Sequence, residues 1–284
     1  MTERKHRLNL FADRELVVDG ARLSYAVGGD GPAVVLVHGL GGTVENWRAL
    51  APELARSHRV LVPDLPGHGL SEPLPGNVRH LDPYALAVAA MLDAEGIDRA
   101  AWVGHSLGGV VALCAAVRRP EMVRGIVLAG AAGIGSRSRL AQATLTLDAI
   151  IRPGRAIAPH RERWARSARG RRAAFWWGVA DTRALEPELA EAFFLGPARH
   201  TTILQAVRAL LGTDPRDELE RVSCPCVCLW GARDNWVKLD DGFEYARRLG
   251  MPVRTIAGCA HLLIGERPDA CLAAIEEFVA ALPD

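Results

Sequence analysis

At residues 100–113 the sequence reads Ala100-Ala101-Trp102-Val103-Gly104-His105-Ser106-Leu107-Gly108-Gly109-Val110-Val111-Ala112-Leu113. The apolar residues before Gly104 predict a buried strand, and the longer apolar run after Gly109 predicts a helix. Between them lies a G-x-S-x-G pattern, which is typical of a sharp strand-to-helix turn that exposes a serine nucleophile. Glycine suits both flanking positions, because a β-carbon there would collide with neighbouring backbone. The alternative interpretation is an ordinary turn whose serine has no chemical role.

Strand-like and helix-like segments alternate on both sides of this turn. Short apolar segments predict strands at residues 33–38, 59–63, 100–104, 125–129, 225–230 and 253–256. Amphipathic segments predict helices at residues 44–56, 83–95, 107–118, 240–249 and 268–282. Near the N-terminus, Asp19-Gly20 predicts a hairpin between strands at residues 15–18 and 22–26. The alternation predicts an α/β protein with a mostly parallel sheet and helices on both faces.

The alternation is interrupted at residues 134–222, which are rich in Arg and Ala and contain no clear strand pattern. We interpret this segment as a helical insertion and call it the cap. Residues 1–133 and 223–284 are then the two parts of one core domain.

Composition narrows the class of protein. The chain has 284 residues, 49% of them hydrophobic, and a net charge of +1, so no global field predicts a nucleic-acid or membrane partner. The longest apolar run, residues 108–117, has about half the length that a membrane span needs. Six cysteines without secretory features predict reduced thiols in a cytoplasmic protein. We expect a monomer or homodimer that acts on a small molecule.

A general base and its acid are expected at the carboxyl edge of the predicted sheet, where ligands gather. His261 follows the last predicted strand, and Asp234 follows the one before it. With Ser106 the chain order is Ser, Asp, His. The alternatives are a surface histidine and a helix-capping aspartate, in which case Asp240 or Asp241 is the acid.

A glycine-rich segment, His38-Gly39-Leu40-Gly41-Gly42, follows the strand predicted at residues 33–38. Its backbone N–H groups are suited to stabilise an oxyanion. We predict the N–H groups of Leu40 and Leu107 as the two donors, with His38 and Gly39 near the substrate. The alternative is a loop that only turns the chain.

Together these segments resemble the α/β-hydrolase superfamily over nearly the whole chain. The matching residues are His38-Gly39, Asp64-Leu65-Pro66-Gly67-His68-Gly69-Leu70-Ser71, Gly104-His105-Ser106-Leu107-Gly108-Gly109, Trp230-Gly231-Ala232-Arg233-Asp234 and Gly258-Cys259-Ala260-His261. The resemblance implies an eight-stranded α/β-hydrolase fold with a helical cap inserted after the sixth strand. It also implies that residues 64–71 form a structural loop near the site, so His68 receives no catalytic role.

The sequence departs from the superfamily pattern in two places. Lys238 occupies the position where relatives often have a proline, so its side chain either is a candidate substrate contact or faces solvent. Relatives that cleave carbon–carbon bonds in ring-fission products often have a tryptophan shortly after the histidine, whereas Leu262-Leu263-Ile264 follows His261 here. Epoxide and haloalkane hydrolases of this fold use an aspartate nucleophile, which Ser106 argues against.

The cap contains the candidate specificity residues Trp176, Trp177, Phe193 and Phe194, which predict either an apolar pocket or packing of cap against core. Residues 152–172 contain eight arginines and one acidic residue. They predict either a solvated helix face or a site for an anionic substrate. Cys224, Cys226 and Cys228 cannot close on one metal ion from a strand, so we predict no metal site there.

These residues predict an esterase that forms an acyl-enzyme on Ser106 and needs no cofactor or metal. Carbon–carbon bond hydrolysis and acyl transfer to another acceptor are alternative reactions. A ligand receptor and a cofactor-free lyase are the alternatives outside hydrolysis, because fold does not determine function.

Overall fold

A computed structural model describes residues 8, 10–135, 139–151, 154–199 and 202–283. Its centre is one eight-stranded sheet in the order β1-β2-β4-β3-β5-β6-β7-β8. The strands are β1 (Ala12–Val18), β2 (Ala21–Gly28), β3 (Ala33–Val37), β4 (Arg59–Pro63), β5 (Ala100–His105), β6 (Val123–Ala129), β7 (Cys226–Gly231) and β8 (Val253–Ile256). Strands β3 to β8 pair in parallel, and β1 and β2 are antiparallel to their neighbours. The prediction of a mostly parallel sheet is confirmed.

Twelve helices are present in the part of the chain that the structure describes. They are α1 (Ala51–Leu54), α2 (Asp82–Ala94), α3 (Leu107–Arg118), α4 (Arg139–Ile151), α5 (Gly154–Ile157), α6 (Arg161–Arg166), α7 (Ala168–Phe175), α8 (Pro187–Arg199), α9 (Ile203–Gly212), α10 (Leu239–Leu249), α11 (Leu263–Glu266) and α12 (Pro268–Ala280). The described residues of the cap contain α4 to α9 and no strand.

The sheet separates two layers of buried apolar side chains. Alternate residues of each strand face opposite layers, as the two-residue period of a strand requires. In β3, for example, Val35 and Val37 join the layer under α2, α3 and α10, whereas Val34 and Leu36 join the layer under α1 and α12. Helices therefore cover both faces, as predicted. The sheet holds the carboxyl ends of β3, β5, β7 and β8 at one edge, with β6 between β5 and β7.

The helix predicted at residues 44–56 is wrong in extent. The structure has a 3-10 turn at Val44–Trp47, then the four-residue α1, which has Pro52 near its start. A continuous helix fails here because proline lacks the N–H that its interior needs and its ring clashes with the preceding turn.

No helix among the described residues is long and apolar enough to cross a membrane.

Candidate active site

Ser106 lies between the last residue of β5 and the first residue of α3. Its backbone has φ 55° and ψ −115°, a strained conformation for a residue with a side chain. A β-carbon at Gly104 would overlap the backbone of Gly108, and one at Gly108 would overlap the carbonyl oxygen of Val37. Glycine is therefore required at both positions for the turn to form, and the turn lifts the serine out of the sheet.

Ser106, His261 and Asp234 form a continuous chain of hydrogen bonds. The Nε2 atom of His261 lies 3.1 Å from Oγ of Ser106, and Nδ1 of His261 lies 2.8 Å from Oδ2 of Asp234. Ser106 is 8% exposed and His261 3% exposed, so water competes little for these bonds. The structure thus brings together the three residues that the sequence predicted as nucleophile, base and acid.

The carboxylate of Asp234 is held in a defined orientation. Its Oδ1 accepts hydrogen bonds from the backbone N–H groups of Trp236 and Val237, both at 2.9 Å. The other oxygen faces His261. Because a carboxylate only accepts, Nδ1 of His261 carries a proton and Nε2 has its lone pair directed at Ser106. Asp241, one of the alternative acids, instead accepts a hydrogen bond from the backbone N–H of Gly135. Its carboxylate therefore binds Gly135, whereas that of Asp234 binds His261.

His105, the residue before Ser106, is buried and contacts the base directly. Its Nε2 lies 2.8 Å from the carbonyl oxygen of His261. Burial, and to a smaller degree the nearby His261, lowers the pKa of His105 to about 3, so its ring is neutral at ordinary pH. A neutral ring that faces a carbonyl must carry its proton on Nε2. His105 therefore donates to the backbone of His261 and has no charge to contribute.

The two predicted oxyanion donors lie on the elements expected for them. Leu107 is the first residue of α3, where N–H groups have no acceptor within the helix. Leu40 lies in a tight turn closed by the hydrogen bond from Gly42 N–H to the carbonyl of Gly39. A β-carbon at Gly39 would lie 3.0 Å from Cβ of Ser106, so this turn directly adjoins the serine.

The ring of His38 contacts the backbone of the turn at residues 39–42 and that of Leu65. Its Nε2 accepts from the N–H of Leu65, its Nδ1 lies 2.8 Å from the carbonyl of Gly39, and the side chain is fully buried. Both ring nitrogens therefore contact backbone. This corrects the substrate contact predicted for His38: the geometry gives the ring a role in shaping the loop.

The loop at residues 64–71 braces the same turn. Asp64 accepts from the N–H groups of Val44 and Leu70, both at 2.9 Å, and Oγ of Ser71 donates to the carbonyl of Asp64. The implied structural loop therefore lies where the resemblance places it.

The four candidate aromatic residues of the cap fall into different environments. Trp177 lies near the site, with its ring centroid 6.3 Å from that of His261. Trp176 is 75% exposed, which corrects its predicted place in a pocket. Phe194 packs on Phe175, and Phe193 contacts Phe175 and Gly265. These two phenylalanines pack the cap and its contact with the core, which favours the packing alternative over pocket lining.

Trp236 is a neighbour of the site that the sequence did not single out. Its ring lies 5.1 Å from that of Trp177, and its backbone N–H binds Asp234. The sequence signal that could have identified Trp236 is its position two residues after the predicted acid. Lys238 is exposed at the start of α10, as expected if its side chain faces solvent, and the substrate contact stays a prediction.

The described side chains of the arginine-rich segment have partners or solvent around them. Arg161 pairs with Glu191, and Arg171 is buried and donates to the carbonyls of Ala165 and Thr182. The others are exposed on the cap: Arg163, Arg166, Arg169 and Arg172. The geometry favours the solvated helix face over an anion site. Arg152 and Arg155 lie outside the described side chains.

Among the described residues, no group of three or more His, Cys, Asp and Glu side chains is placed to hold a metal ion. Cys226 and Cys228 are buried in β7, and the thiol of Cys226 contacts the carbonyl of Cys224. The packing interpretation of the three cysteines agrees with this placement.

A family model described as the alpha/beta hydrolase fold matches residues 32–268. The chain belongs to this family. A solved structure of a hydrolase from Pseudomonas aeruginosa PA01 superposes with a TM-score of 0.77 at 27% identity, and the match covers 95% of this chain and 98% of the other. The fold expected from the resemblance is thereby confirmed.

Two of the similar sequences are hydrolases with a named substrate. The 2-hydroxymuconate semialdehyde hydrolase of Pseudomonas sp. (strain CF600) is 40% identical over 124 residues, which are 43% of this chain and 44% of that protein. The 2-hydroxy-6-oxo-2,4-heptadienoate hydrolase of Pseudomonas putida is 42% identical over 109 residues, 37% and 40% of the two chains. The matched regions therefore cover less than half the length of each of these relatives.

Proposed function

We propose that this α/β hydrolase cleaves a carboxylic ester of a small molecule through an acyl-enzyme on Ser106. The observation that carries the proposal is the hydrogen-bonded chain from Ser106 through His261 to Asp234, with distances of 3.1 and 2.8 Å. A serine hydroxyl becomes a nucleophile when an adjacent base takes its proton and a third group orients that base.

In the first step Oγ of Ser106 attacks the ester carbonyl while Nε2 of His261 takes the hydroxyl proton. The carbonyl oxygen becomes an oxyanion, for which the N–H groups of Leu107 and Leu40 are the proposed donors. Removing one such donor typically costs about 3 kcal/mol of transition-state stabilisation. Asp234 stabilises the imidazolium that forms.

His261 then gives the same proton to the departing alkoxide, so the ester C–O bond breaks and an alcohol leaves. In the second step Nε2 takes a proton from water, and the resulting hydroxide attacks the acyl carbonyl. The proton returns to Oγ of Ser106 as the acid leaves. Each cycle consumes one water and regenerates the serine.

The test is a panel of p-nitrophenyl esters of short and medium chain length, with Ser106→Ala as the matched control. We expect turnover by the natural chain, an acyl adduct on Ser106 by mass spectrometry, and labelling by a fluorophosphonate. Ser106→Ala should remove all three and still fold. Full esterase activity in that variant, or no turnover and no labelling in the natural chain, would refute the proposal. The second outcome would favour a receptor or lyase.

Hydrolysis of a carbon–carbon bond is the second candidate, and the names of the two Pseudomonas relatives favour it. Ser106 would attack the ketone carbonyl while His261 takes its hydroxyl proton, and His261 would give that proton to the leaving carbon as the carbon–carbon bond breaks, after which water releases the acid from Ser106. We rank it second because Leu262 follows His261, where such enzymes often have a tryptophan nearby. Measuring turnover of 2-hydroxymuconate semialdehyde beside the ester panel distinguishes the two reactions. Acyl transfer to an alcohol would appear as a new ester product when that alcohol is added.

A further inference from the structure

Three consecutive residues around the base have their backbone polar groups held by side chains or backbone from elsewhere in the fold. The N–H of Ala260 donates to Oε2 of Glu266 at 2.9 Å, the carbonyl of His261 accepts from His105, and the N–H of Leu262 donates to the carbonyl of Gly178 at 2.7 Å. These bonds fix the backbone that carries His261, so this loop can shift only if they change. One of these partners, Gly178, belongs to the cap.

Glu266 adds a second link between the cap and this loop. The side chain lies at the end of α11 and is buried. Its Oε2 binds Ala260, and its Oε1 accepts from the N–H of Asp181 in the cap at 2.7 Å. The carboxylate of Glu266 therefore joins Ala260, the residue before His261, to Asp181 of the cap, which lies 85 positions before Glu266.

The cap segment reached by these bonds also contacts the base directly. Gly178 and Asp181 bind the loop through Leu262 and Glu266, and Trp177 lies beside the imidazole. The segment is fixed to the end of α7, because the N–H of Gly178 donates to the carbonyl of Phe175. Residues 177–181 are thus hydrogen-bonded, directly or through Glu266, to the residues on both sides of His261.

We propose that Glu266 is a positioning residue that couples the cap to His261 and so sets the alignment of Nε2 with the leaving group. The inference rests on the proposed function and deepens it. Nε2 of His261 is already held by its hydrogen bond to Ser106. Its second task is to give a proton to the departing oxygen, and small displacements of the ring affect this step most. A misplacement of about 1 Å at a reacting group can cost about 100-fold in rate.

This role predicts a dependence on leaving group that a purely structural role does not. An alkoxide is a poor leaving group and needs the proton from His261, whereas p-nitrophenolate departs without it. Glu266→Gln keeps the size of the side chain but turns an amide NH2 toward one of the two N–H donors. One of the two bonds is thereby lost, and the link between cap and loop loosens.

The experiment compares kcat/KM for the p-nitrophenyl ester and the methyl ester of one acid, in the natural chain, Glu266→Gln and Glu45→Gln. Glu45 is the matched control, because it is also a buried carboxylate at the contact of core and cap, paired with Arg199 and outside the His261 loop. We expect Glu266→Gln to lose about tenfold or more on the methyl ester and less than about threefold on the p-nitrophenyl ester. Glu45→Gln should leave the ratio of the two rates unchanged.

The possible outcomes separate this inference from the proposed function. If the natural chain hydrolyses neither ester, the proposed function is wrong and the inference is overturned with it. If the natural chain hydrolyses both and Glu266→Gln keeps the natural ratio, the inference alone is wrong. Should Glu266→Gln fail to fold, Glu266→Asp replaces it, since a shorter carboxylate reaches one of the two amides and predicts the same shift in ratio.

Discussion

Asp234 and His261 meet through Oδ2 and Nδ1 at 2.8 Å, although they are 27 positions apart and follow different strands. The second oxygen of Asp234 is occupied by the N–H groups of Trp236 and Val237, so the carboxylate cannot rotate without losing two hydrogen bonds. The contact therefore determines which imidazole nitrogen carries the proton, and it leaves Nε2 free to accept from Ser106.

Asp234→Asn should lower kcat by about 10⁴-fold with little change in fold, because an amide NH2 facing Nδ1 selects the tautomer whose Nε2 cannot accept a proton. Asp241→Asn is the matched control. Its oxygen still accepts from Gly135, and kcat should stay within about threefold of the natural value. Steady-state kinetics on the best ester of the panel measures both. A large loss in Asp241→Asn with none in Asp234→Asn would reverse the assignment of the acid.

Gly104→Ala should destabilise the chain by about 3 kcal/mol, because the new β-carbon meets the backbone of Gly108 and Gly109, which cannot yield as a side chain would. Gly76→Ala is the control. That glycine has φ +78° and open space around it, so alanine there should cost only about 1 kcal/mol of backbone strain. Urea unfolding of the two variants gives the difference. Equal stability of both would mean that the turn at Ser106 tolerates a side chain.

Local sequence patterns were sufficient to predict the bounds of several core helices and strands. The helix predicted at residues 107–118 and the strand at residues 253–256 have the predicted bounds, because each is set by neighbouring residues alone. The turn at Ser106 was predictable from its G-x-S-x-G pattern, although only Gly104 acts on residues close in sequence; Gly108 is required because of the carbonyl of Val37, which lies on a different strand. The helix predicted at residues 44–56 was wrong because Pro52 interrupts it, and the amphipathic pattern takes no account of proline.

The cap was harder because its contacts are distant in sequence. Trp176 and Trp177 are adjacent, yet one faces solvent and the other faces His261, and successive residues of a helical turn differ by about 100° in direction. Only the placement of the cap on the core decides which one turns inward. The bonds from Glu266 to Asp181 and from Leu262 to Gly178 likewise have no signature in either segment alone.

Arg199→Met should lower the free energy of unfolding by about 2 kcal/mol, because it leaves the buried carboxylate of Glu45 without its cation. In the native chain Nη1 of Arg199 lies 2.6 Å from Oε1 of Glu45 and ties α8 to the 3-10 turn at Val44–Trp47. The double variant with Glu45→Gln should recover part of the loss, since a neutral amide is less costly to bury. Unfolding in urea completes the double-mutant cycle, and additive losses would mean that the pair contributes no coupling.

Stability should fall in acid because of His68, which is fully buried beside His38. Burial, followed by the neighbouring His38, lowers its pKa from 6.5 to about 3. Between those values the unfolded chain binds a proton that the folded chain does not, so folding stability is retained above pH 6.5 and lost as the pH falls toward 3. From pH 7 to pH 5 the loss for one such histidine is about 2 kcal/mol.

His68→Gln should be less stable at pH 7 but should lose about 2 kcal/mol less of its free energy of unfolding over that interval, while His105 still contributes its own share. Urea unfolding at both pH values measures this, and an unchanged loss in the variant would show that His68 does not titrate in this way.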